Sequence, residues 1–150
     1  RPSSPLCCSR RDFSAPSRVA LSWAAEMAQK FGARLTLLHV YAVPGYVLPD
    51  GFMPAGPEVL ARVEALTQES LSAWQADAQA MGAADVAVQS AVGLAAPEIV
   101  EAARGSEANL IVMATHGRSG WSHLLMGSVA EKVMRTAPCP VLAVPVRNES

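Results

Sequence analysis

Apolar residues recur along this chain with two different periods, and the switches between them divide it into alternating helices and strands. Val19, Trp23, Met27 and Phe31 return every four residues beside Ala20, Ala24 and Ala28, a spacing that places them on one helical face. Ser14 is positioned to cap that helix, Pro16 sits at its second position and Gly32 ends it. From Arg34 to Val43 aliphatic and β-branched residues fall on both faces, the pattern of a strand covered by helices on either side. Residues Pro44 to Pro57 contain four prolines and three glycines and read as a loop longer than the usual ~4–6 residue connection. Its apolar members Tyr46, Val47, Leu48, Phe52 and Met53 offer a lid or a docking surface, with simple packing against the next helix as the expected use.

Glu58 to Met81 returns to helical spacing through Val59, Leu60, Val63, Leu66, Leu71, Trp74 and Ala78, and Gly82 closes it. Asp85 to Val92 alternates as a strand, and Pro97-Glu98 opens a short helix that carries Ile99, Val100 and Ala103 inward and stops at Gly105. A further strand runs from Asn109 to Ala114, a helix from Gly127 through Val129, Val133 and Met134 to Thr136, and a last strand from Val141 to Val146. Pro138 and Pro140 keep that helix from continuing. Strands alternating with helices of this length predict an α/β domain with parallel pairing, right-handed crossovers and helices on both faces of the sheet. Residues 1–11 fit the alternation poorly: Leu6-Cys7-Cys8 is their only apolar piece, and they read as a disordered arm or a weak first strand.

With 150 residues, 51% of them apolar, and a net charge of −1, the chain has the size and composition of one globular domain. It has no basic footprint for nucleic acid or an anionic membrane. No apolar run approaches the ~20 residues that cross a bilayer, and a soluble, cytoplasmic protein is expected. Three cysteines, Cys7, Cys8 and Cys139, make neither a disulfide framework nor a metal cluster and read as reduced thiols. His39, inside the second predicted strand, reads as a partly buried, hydrogen-bonded side chain.

The candidate chemistry lies between Leu110 and Val129, LIVMATHGRSGWSHLLMGSV. An apolar strand passes into a polar segment with Gly117 and Gly120, and Gly127-Ser128 opens a helix where free N–H groups point outward. Nine residues separate Gly117 from Gly127, so two N–H-rich turns can close on one anion from opposite sides, with the Ser128 hydroxyl as a further donor. A glycine-rich surface loop between a buried strand and a packed helix is the competing reading of the same residues.

The segment resembles the nucleotide-binding signature of the universal stress protein family, G-x2-G-x9-G-[ST], at Ala114, Gly117, Gly127 and Ser128, with alanine in place of the first glycine. The likeness extends from Asp12 to Val146, so residues 12–146 form the family-like domain and 147–150 a C-terminal tail. It implies a single doubly wound domain: a five-stranded, mainly parallel sheet of order 3-2-1-4-5 with about four helices on both faces. In such sheets ligands bind where the strand order reverses, here between the first and fourth strands. The resemblance further implies ATP with its phosphates held by Gly117, Arg118, Gly127, Ser128 and Val129. Asp12, Val40, Met113 and Ala114 would line the nucleoside side, and Mg2+ would accompany the triphosphate without a dedicated cage. It also implies a homodimer, for which Val141 to Val146 is an apolar terminal strand suited to edge pairing. The first strand departs from the family, which is usually aliphatic there and carries proline two residues before the aspartate, where Arg10 stands.

Turnover is a separate question. The chain has no Walker lysine motif, and only His116 and His123 flank the loop as titratable groups, so slow ATP hydrolysis or autophosphorylation is the most expected of it. The leading expectation is a nucleotide-dependent regulator of the stress response; the alternative is a stress-related interaction protein of the same fold that does not bind ATP. DFSAPS after the first strand is neither a PP-loop nor a flavin phosphate loop, and no G-x-S-x-G elbow is present.

Overall fold

Strands form where β-branched and aliphatic residues cluster, and the order in which they pair decides which ends lie side by side. The computed structural model describes residues 5–10, 15–115 and 126–145; the predicted Ser14 cap lies outside them. Strand β1 (Pro5–Arg10) is followed by α1 (Ala15–Phe31) and β2 (Leu35–Tyr41), then β3 (Gly45–Leu48) and β4 (Gly51–Pro54). After them come α2 (Pro57–Ala80), β5 (Val86–Val92), α3 (Ala95–Gly105), β6 (Leu110–Ala114), α4 (Ser128–Thr136) and β7 (Val141–Val144). Five of the strands make one sheet in the order β5-β2-β1-β6-β7, every pair parallel. The segment that read as arm or weak strand is therefore the middle of the sheet, with Arg10 opposite Val40 on one side and Cys8 opposite Met113 on the other.

The faces of the sheet sort by alternation along each strand. On β2, Leu35 and Leu37 join Leu21, Ala24 and Ala28 of α1 and Leu71, Trp74 and Ala78 of α2 in one core. Leu38 and Val40 join Ile99 and Ala103 of α3 and Val133 of α4 in the other. Helices thus cover both faces, as a parallel sheet requires. Among the described residues no helix is long and apolar enough to cross a membrane.

Two expectations are corrected. The bulky row on α1 is not its buried face: Ala20, Leu21, Ala24, Ala25 and Ala28 are buried, while Trp23 is 49% and Phe31 63% exposed. Small side chains let the helix lie close against the sheet, and its larger ones are displaced to the flank. Gly32 ends this helix at φ +59°, a left-handed conformation that glycine adopts freely.

The second correction concerns residues 44–57, which hold an antiparallel hairpin rather than a structureless loop, with Tyr46 opposite Met53 and Val47 opposite Phe52. Prolines and glycines at its ends concealed two short apolar strands joined at Pro49-Asp50. All eight strand residues are exposed, so the expected packing of Tyr46, Val47, Leu48, Phe52 and Met53 against α2 does not occur. The apolar positions at the start of α2 are also exposed, and its buried residues begin at Thr67.

The facing of α1 can be tested by mutation. Leu21→Ala is expected to lower the free energy of urea unfolding by about 2–5 kcal/mol, and Phe31→Gln by less than about 1 kcal/mol. The reverse order of effects would put the bulky row in the core.

Candidate functional site

At the carboxyl end of β6 the chain leaves the sheet and returns to open α4, and the two meet through the backbone. The N–H of Gly127 donates to the carbonyl of Thr115 at 2.8 Å, and the N–H of Thr115 donates to the carbonyl of Val144 at 3.1 Å. One residue just past β6 therefore ties the start of α4 to the ends of β6 and β7. Gly127 has an ordinary φ of −58°, so its backbone angle alone does not demand glycine. Proximity does, since a Cβ at Gly127 would lie 2.6 Å from the Thr115 carbonyl oxygen.

Gly127 is the N-cap of α4, and the first intrahelical bond runs from Glu131 N–H to its carbonyl at 3.0 Å. The N–H groups of Ser128, Val129 and Ala130 consequently have no acceptor within the helix. They stand at the positive end of the helix dipole, where an anion is stabilised. This revises one expectation about Gly127: its own N–H is engaged by Thr115, and it contributes close approach, leaving the donor role to Ser128 and Val129. Ser128 is exposed and Val129 half-buried, so the hydroxyl of the first is accessible while the side chain of the second packs into the α3–α4 core.

Val40 and Met113 lie on strands either side of β1, about 10 Å apart across two strand spacings, and both side chains are buried in that same core. What they present at the sheet end is backbone. Ala114 ends β6 and packs against the opposite core, with α1. Val40, Met113, Ala114, Gly127, Ser128 and Val129 thus occupy the ends of β2 and β6 and the start of α4. Asp12, Gly117 and Arg118, together with His116, Gly120 and His123, lie outside the described residues. Thr115 is the residue that sequence reasoning missed; it acts through backbone atoms, for which a side-chain pattern carries no signal.

Other candidate groups sit elsewhere. A cavity of about 430 Å³ runs between β5 and α3, lined by Gln89, Ala91, Glu98, Glu101 and Ser106 among others. Its two carboxylates oppose a phosphate there. His39 is buried and stacks on Tyr41 with ring centroids 6.2 Å apart. Burial pushes the Cys139 thiol up from its ordinary value, which keeps it protonated and unreactive near neutrality.

Comparison with known proteins places these features in a family. The model of the universal stress protein family matches residues 11–145. The chain is 36% identical over 137 residues to a universal stress protein of Thermus aquaticus, a match covering 89% of this chain and 93% of the relative. It is 35% identical over 133 residues to one from Mycolicibacterium smegmatis, again over 89% of this chain, but it spans only 43% of that relative's length. Among solved structures, a universal stress protein in complex with cAMP superposes with a TM-score of 0.73 at 24% identity, covering 95% of this chain and 96% of the other. At that identity the likeness shows the fold.

The close approach at Gly127 predicts that Gly127→Ala forces α4 away from β6, lowering unfolding free energy by about 1–3 kcal/mol. Ser128→Ala, at an exposed position, should stay within about 0.5 kcal/mol of the parent. Paired denaturation curves check both.

Proposed function

This chain belongs to the universal stress protein family, and from that premise we propose that it binds ATP at the carboxyl end of its sheet, between β1 and β6. The observation that carries the reading is the contact of Gly127 with Thr115, which brings the first turn of α4 against the end of β6. Helix N–H donors are thereby held beside the point where the strand order reverses, the place such sheets use for ligands. A family member of the same fold solved with cAMP supports a nucleotide at this end.

In this reading the N–H groups of Ser128 and Val129, the Ser128 hydroxyl, the Gly117 backbone and the Arg118 guanidinium hold the phosphates. Backbone groups of Val40, Met113 and Ala114 and the carboxylate of Asp12 meet the nucleoside. Mg2+ would neutralise the triphosphate from the solvent side. Binding with at most slow turnover follows, since positioning donors are at hand and a base is not; the role is that of a nucleotide-dependent regulator of a cytoplasmic stress response. The reading of an interaction protein that ignores nucleotide rested on a distorted first strand. The register of β1 with both neighbours up to Arg10 favours the nucleotide instead, because Asp12 follows two residues later.

The same reading includes a homodimer through the last strand, predicted over Val141 to Val146; Val146 lies outside the described residues. The N–H groups of Ile111 and Thr115 donate to the carbonyls of Pro140 and Val144. Alternation then turns the backbone groups of Val141 and Ala143 to the outer edge of β7, where a second copy can pair.

Purified protein, once denatured, is expected to release adenine nucleotide, and the apo form should bind ATP with Mg2+ in a calorimetric titration. Ser128→Ala should weaken binding about five- to tenfold, the loss of one hydrogen bond of ~1–1.5 kcal/mol. No heat of binding at about 1 mM ATP, an interaction weaker than ~4 kcal/mol, would sink the proposal. For the dimer, Ala143→Pro removes an outward N–H without touching the bonds to β6, and sedimentation equilibrium should show the mass halved.

A further inference from the structure

The hairpin β3–β4 stands away from the nucleotide reading and carries an observation of its own. Neither strand packs to any extent against another described element, and its large apolar side chains face solvent: Val47 is 89% exposed, Tyr46 64%, Phe52 54% and Met53 50%. A two-stranded ribbon of this kind is marginal in water by itself. With Leu48, and with Val43, Val59 and Leu60 beside its base, it exposes roughly 800 Å² of largely apolar surface, the share that one partner contributes to a standard protein interface.

The edges of the ribbon differ. Ala55 N–H donates to the Pro44 carbonyl at 2.8 Å, which makes that pair hydrogen-bonded. Alternation along the ladder then directs Tyr46 and Leu48 toward β4 and turns the N–H and C=O groups of Gly45 and Val47 outward. On the other edge Phe52 offers both groups, but Pro54 has no N–H. The free edge of β3 is therefore the one able to accept a strand, with the most exposed apolar residue at its middle.

The charge pattern selects the occupant. Between Ala42 and Pro57 the only charged residue is Asp50, at the turn. A basic or acidic partner finds no complement there, and an anionic lipid surface meets a carboxylate at the tip and no lysine or arginine. An uncharged edge pairs with its own copy at no electrostatic cost. We infer that β3 of one chain pairs antiparallel with β3 of a second copy about a twofold axis near Val47, joining two hairpins into a four-stranded sheet that buries Tyr46, Val47, Phe52 and Met53. This contact is independent of nucleotide and of β7; where both edges are used, the assembly is a tetramer of twofold symmetry.

Sedimentation equilibrium at tens of micromolar tests it, with two variants at a position that makes no intrachain ladder bond. Val47→Pro removes the outward N–H, and Val47→Lys keeps the backbone and places like charges together at the axis. Each is expected to halve the mass of the parent with an unchanged far-ultraviolet dichroism spectrum. Combining Val47→Lys with Ala143→Pro should halve it again if β7 also pairs; if β7 does not, the double variant keeps the mass of Val47→Lys alone, which leaves the hairpin contact standing. A mass unaffected by either Val47 substitution overturns the inference. So does unchanged mass together with Val47-dependent flotation on phosphatidylcholine–phosphatidylglycerol vesicles, which would assign the hairpin to a membrane surface.

Discussion

The approach of Gly127 to the carbonyl of Thr115 is the constraint on which the candidate site depends. Thr115 receives the start of α4 through its C=O and reaches the end of β7 through its N–H, so three elements converge on one peptide unit. Any side chain at Gly127 would enter the space of that carbonyl oxygen. The helix can present its first-turn donors at the sheet end only because position 127 is empty of side chain. Buried backbone groups must be paired, and here the pairing also aims the helix.

The α/β class was legible because the hydrophobic period changes from helical to strand-like at glycines, and Gly32, Gly82 and Gly105 fall at or next to the ends of α1, α2 and α3. The facing of α1 was not. Its bulky residues gave the stronger pattern, yet alanine, weakly hydrophobic by side-chain area, makes the closest contact with the sheet. The hairpin escaped for a related reason: proline and glycine within each four-residue strand outweighed its apolar alternation. At the site, the glycine at 127 and the hydroxyl at 128 could be read from spacing. Which group each contributes could not, because the engaged N–H of Gly127 depends on a carbonyl that no residue type announces.

Family membership rests on residues 11–145, and the middle strand of the sheet precedes that stretch. β1 is nonetheless in register with β2 along Leu6 to Arg10 and with β6 along Pro5 to Cys8. Its place follows from pairing on both edges, a requirement that binds a strand of modest apolar content as firmly as an aliphatic one. The two outward-facing edges, on β7 and on β3, stand in contrast: both are short, both are apolar, and each is bordered by proline.

The central position of β1 sets a timetable for folding. Its partner on one side is β2, close in sequence, while Leu110 of β6, opposite Pro5, emerges from the ribosome only after most of the polypeptide has been made. Until then half of the future sheet must wait with an unsatisfied strand margin, the kind of intermediate that aggregates or recruits chaperones. Long-range closure of this sort is slow, and a protein associated with stress would itself be vulnerable during synthesis at the moment when cellular folding capacity is most taxed.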